Sequence, residues 1–132
     1  MAMLRKQVRP DRFAQPISPI KYLTENGFSI VRLSDVDPSV INTPRECRFL
    51  VHQESGSERE VTASFTDSLI SDLRIRRRAP LSESSVFWLV CAESYLARFL
   101  WEKNEFPPQG QTIISELSPD ELMLALHWRD QE

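Results

Sequence analysis

Four arginines crowd one short stretch, RIRRR, at Arg74, Arg76, Arg77 and Arg78. Guanidinium groups at this density can hold phosphate oxygens, so the run offers a candidate grip on a nucleic-acid backbone. It also fits a helix end, because cations near a helix C-terminus complement the dipole. The two histidines, His52 and His127, stand in no ligand spacing such as HExxH. The two cysteines, Cys47 and Cys91, are far apart, each inside an apolar run, and form no CxxC pair. That placement reads as buried free thiols in a reducing compartment. Pairing Cys91 with His52 would require a helix-buried thiol to react, and such thiols are inert. Neither a GxSxG elbow nor a GxxxxGK loop is present. The expectation is a chain with no catalytic residue, no cofactor and no metal site.

The totals agree with a folded, globular class. At 132 residues, 41% hydrophobic and 27% charged, the chain can bury a core of its own. Three glycines against nine prolines disfavour a glycine-rich phosphate loop and a turn-dense β-barrel. A net charge of -3 leans away from a dedicated nucleic-acid binder, although a local basic patch is compatible with it. The start, MAMLRKQVRPDRF, lacks the apolar stretch of a secretory signal. Val86 to Ala92 is the longest apolar run, far short of a membrane span. A cytoplasmic location is expected.

The elements that must position these residues read as follows. Residues 1–22 form a basic, Pro-punctuated arm, and 23–132 a single α+β domain. Asn26-Gly27 marks a turn, and FSIVRL after it reads as a strand. SDVDPSVINTP reads as a loop. RECRFLVHQ and EVTASF alternate around the polar ESGSE turn, which predicts a β-hairpin over 45–53 and 60–66. Thr43-Pro44-Arg45-Glu46 also fits a capping box, leaving a short helix as the competing reading of the first arm. Leu69, Ile70 and Leu73 predict a short helix over 67–78, closed before Pro80. QTIISEL reads as a short strand or an extended link. Ser118, Pro119 and Glu121 open a C-terminal helix over 119–129, with Leu122, Met123 and Leu126 inward. The expected fold is α+β: a small antiparallel sheet of about three strands with helices on one face.

The most informative element is a long helix over 82–103, capped by Ser82. Trp88, Leu89, Ala92, Leu96, Phe99 and Leu100 share one broad face. The opposite face carries Phe87, Val90, Cys91, Ser94, Arg98, Trp101 and Glu102 and is more than half apolar. A helix apolar on nearly all sides is buried on nearly all sides. Either it lies centrally, under the C-terminal helix or the arm, or its second face meets a partner. Phe87, Cys91, Arg98 and Trp101 are then the candidate interface, since aromatic and Arg side chains anchor interfaces.

The span VTASFTDSLISDLRIRRRAPLSESSVFWLVCAESYLARFL also resembles the strand–helix–helix pattern of ribbon-helix-helix repressors. Val61, Ala63 and Phe65 match the buried strand positions. Asp67, Leu69, Ile70 and Leu73 match the first helix, and Ser82 or Ser84 the start of the second. The resemblance implies a dimer whose paired strands enter a DNA groove. Glu60, Thr62 and Ser64 would then face bases, with Ser82 near phosphate. Glu60 in a reading position, Pro80 in the connection and a hairpin partner beside the strand depart from that pattern.

Two functions follow as expectations. The first is a non-enzymatic protein–protein interaction module, a subunit of a homo-oligomer or larger assembly. The alternative is a dimeric DNA-binding protein contacting nucleic acid through Arg74, Arg76, Arg77, Arg78, Thr62 and Ser64.

Overall fold

A computed structural model describes residues 21–79 and 81–129. The chain is α+β, with a five-stranded sheet in the order β1-β2-β3-β4-β5. The strands are β1 (Lys21–Leu23), β2 (Phe28–Arg32), β3 (Cys47–Gln53), β4 (Glu58–Phe65) and β5 (Gln111–Ile114). The helices are α1 (Leu33–Val36), α2 (Asp67–Arg76), α3 (Val86–Lys103) and α4 (Pro119–His127).

Five strands replace the expected three, and the sheet is mixed. The first four run antiparallel, while β5 lies parallel to β4. Both α2 and α3 lie in the β4–β5 connection, the long crossover that a parallel pair requires. Of the expected arm, Lys21 and Tyr22 belong to β1, paired with Val31 and Ile30; residues 1–20 lie outside the described residues. β1 is too short to announce itself by alternation, and the Asn26-Gly27 turn folds it onto β2.

The hairpin forms with Phe49 opposite Val61 and Cys47 opposite Ala63. Its turn is closed by bonds from Gln53 N to Ser57 O and Gly56 N to Gln53 O, both 2.8 Å. Arg45 and Glu46 are not in the strand. Thr43 and Glu46 bond to each other through both backbone groups, so the capping-box sequence makes a tight turn rather than a helix. Within the expected loop 34–44, Leu33 opens a single helical turn, α1.

Alternation sends one side of the sheet inward. Phe28, Ile30, Cys47, Phe49, Val51, Val61, Ala63, Phe65 and Ile114 are buried together with Leu69, Ile70 and Leu73 of α2. α3 lies across β2 to β5 on this face. The other face carries Leu23, Val31, Leu50, Thr62, Ser64 and Ile113 by register.

Three helix boundaries differ from expectation. α3 starts at Val86, not Ser82. Ser85 caps it, its hydroxyl accepting from Phe87 N at 3.1 Å. Ser82 is held outside, its carbonyl accepting from Ser85 N and from the Trp88 indole. Three serines in SESS are all competent caps, and the buried Trp88 selects among them. α2 ends at Arg76, because Arg77 is extended. α4 ends at His127, because Trp128 is extended.

β5 depends on one glycine. Gly110 has φ of 67°, and a Cβ there would stand 2.8 Å from the Glu60 carbonyl oxygen of β4. Only a residue without a side chain lets the backbone enter β5 this close to its neighbour.

Candidate functional site

The long helix is the first place to look for a partner surface, and its second face is buried at Phe87 and Cys91 and half-buried at Val90, Ser94, Arg98 and Trp101. Phe87 and Cys91 are 0% and 1% exposed within this single chain. Phe87 meets Trp88 and Trp128 edge-on, at 5.3 and 5.7 Å between ring centres. Arg98 is half-buried, over the Tyr95 ring and 3.3 Å from Glu121 of α4. Trp101 is also half-buried. The sheet covers one side of α3, and on the other Phe87 is met by Trp128, just past α4, and Arg98 by Glu121 of α4.

Both thiols are protonated and inert. Burial raises Cys47 and Cys91 to about 12, and the nearby Glu121 carboxylate adds to the effect at Cys91. Among the described residues no cluster of His, Cys, Asp and Glu is arranged to hold a metal ion, and no helix is long and apolar enough to cross a membrane.

The candidate nucleic-acid residues fall into two separate places. Thr62 and Ser64 point away from the helices, and the Ser64 hydroxyl donates to Arg45 O at 2.6 Å. β4 pairs with β3 along 58–63 and, on its other edge, with β5 along 62–65. The ribbon of a ribbon-helix-helix dimer needs one of these edges for the strand of a second chain. Glu60 is paired with Arg48 at 2.9 Å.

The arginine run lies instead at the far end of the helical layer, where α2 stops, α3 starts and α4 stops. Arg77 ties the elements together: its Nε donates to Ala79 O at 2.8 Å, and its Nη1 to Ala125 O of α4. Arg76 pairs with Asp72 one turn earlier, at 3.1 Å. Arg74 reaches Glu83 only at 4.0 Å. Arg78 has no carboxylate within ion-pair distance among the described residues, nor does Arg129.

Two adjoining clefts open here. One, of about 700 Å³, runs between the serine loop and α4 and is lined by Ser82, Val86, Leu124 and Trp128. The other, of about 580 Å³, runs between α2 and α4 and is lined by Arg76, Arg77 and Arg78. His127, Trp128 and Arg129 line both. On the rim, Val86 is 48% and Leu124 39% exposed, while Met123, 56% exposed, lines neither cleft. Met123 thus lies outside, contrary to expectation, because Glu121 and Ala125 take the inner stripe of α4.

The place of Val86, Leu124, His127, Trp128 and Arg129 was not read from the sequence. A signal existed: LMLAL, at 122–126, is too continuously apolar for a helix with one covered face. No family model, curated protein or solved structure matches the chain.

Proposed function

We propose that this chain is a non-enzymatic protein–protein interaction module, and that it docks an acidic, amphipathic segment of its partner at the α2–α3–α4 end. One observation carries this reading. Val86 and Leu124 are apolar and exposed, and they line one cleft with the half-buried Trp128, although the core beneath them is closed. Apolar side chains clustered around an aromatic group in a cleft are the make-up of a binding hot spot. The charge around them selects the occupant. Arg129 lines the apolar cleft, and Arg77 and Arg78 line the one adjoining it, so a segment with alternating acidic and apolar side chains is complementary. Two free, buried thiols support a reducing, cytoplasmic setting.

Selection of random peptides displayed on phage against the whole chain tests the proposal. Enriched peptides should combine Asp or Glu with Leu, Phe or Trp. Leu124→Glu and Val86→Glu should weaken their binding about tenfold or more, roughly 1.4 kcal/mol, while leaving the melting temperature unchanged. Peptides that bind both variants as well as the parent would overturn the reading. So would a stable dimer in light scattering that Leu124→Glu dissociates, since a second copy would then fill the cleft. Duplex DNA binding that Arg78→Gln with Arg129→Gln abolishes, and Leu124→Glu leaves intact, would assign this end to nucleic acid instead.

A further inference from the structure

The cleft between α2 and α4 holds more positive charge than a carboxylate can match. Arg76 is neutralised by Asp72. Arg77 donates to two carbonyl oxygens, which fix its direction and leave its charge uncompensated. Arg78 and Arg129 have no carboxylate partner among the described residues, and His127 lines the same cleft. Three arginines without a carboxylate partner among the described residues therefore line one cleft of about 580 Å³. Like charges held in a cleft concentrate their field and favour an anion there. A carboxylate brings one charge and two acceptor oxygens. A phosphomonoester brings close to two charges at neutral pH and three strong acceptors, enough to pair two arginines bidentately. Trp128 and Leu126 supply an apolar wall beside the charges.

We infer that the cleft lined by Arg77, Arg78, His127 and Arg129 is a recognition site for a phosphorylated side chain on the docked partner segment. The inference rests on the docking reading for the carrier of the phosphate, and on the cleft alone for the phosphate itself.

The test titrates the full chain with inorganic phosphate, then with acetate at equal ionic strength, following arginine Nε–H and His127 resonances. Phosphate should shift them saturably, and at least tenfold more tightly than acetate. Arg78→Gln with Arg129→Gln should remove the response, whereas Arg76→Gln should change it no more than twofold. Exchanging an acidic residue of a selected peptide for phosphoserine should tighten its binding at least tenfold. Phosphate no tighter than acetate, a response that survives the double substitution, or a peptide unaffected by phosphoserine would overturn the inference. Leu124→Glu separates the two claims: it should weaken peptide binding at least tenfold and leave the phosphate response intact. Peptide binding weakened in Leu124→Glu together with an absent phosphate response would overturn this inference and leave the docking reading standing.

Discussion

Arg98 of α3 and Glu121 of α4 meet at 3.3 Å, and the same carboxylate accepts from Ser118 N at 2.8 Å. Glu121 therefore starts α4 and ties it to the central helix with one side chain. The Ser118 hydroxyl returns the bond from Glu121 N at 3.1 Å, completing a capping box. Glu121→Ala removes the cap and leaves Arg98 facing a half-buried gap. It should lower stability by about 2 kcal/mol in urea unfolding. Glu121→Gln keeps an acceptor and loses the charge, and about half that loss is expected.

Gly110 holds β5 against β4. Gly110→Ala meets two penalties, a left-handed backbone and a contact 2.8 Å from the Glu60 carbonyl. A loss of about 2 kcal/mol or more is expected. Hydrogen exchange should localise the damage, with faster exchange in Gln111–Ile114 than in the β3–β4 hairpin.

Val86 and Phe87 are neighbours with opposite fates. Phe87→Ala opens a cavity where the ring meets both Trp88 and Trp128 and should cost about 3–5 kcal/mol. Phe87→Glu should unfold the isolated chain. Val86→Glu, at a rim position, should change stability by no more than about 0.5 kcal/mol. Equal damage from both glutamates, read by circular dichroism, would remove Val86 from the docking surface.

The cysteines give a pH dependence. Cys47 and Cys91 are raised from 9.0 to about 12 by burial, so above pH 9 the unfolded chain loses protons that the folded chain retains. Stability from this source is complete below pH 9 and lost progressively between pH 9 and 12. A variant carrying both Cys47→Ala and Cys91→Ala should show a shallower decline over that range. At pH 8 the parent thiols should react with Ellman's reagent only on unfolding.

Much of the fold was legible because it rests on local physics. The alternation in EVTASF marks Val61, Ala63 and Phe65 as buried whatever lies beside them. The Ser118-Pro119-Glu121 start of α4 is a set of short-range bonds that needs no partner. The Asn26-Gly27 turn is likewise local, although its second role is not: Asn26 Nδ2 donates to Leu100 O at 2.9 Å, helping to close the C-terminal end of α3.

By itself, the sequence determined the α+β class, the hairpin, the approximate helices and the wide apolar girth of α3. These follow from side-chain periodicity and from caps and turns, which act over a few residues. Only the tertiary structure decided that β5 joins β4 in parallel, that Ser85 rather than Ser82 caps α3, and that Trp128 packs on Phe87. It also decided that Arg78, His127 and Arg129 share a cleft. Each of these is a meeting of residues distant in the chain. Long-range pairing is chosen by the packing of whole elements, which no local pattern encodes.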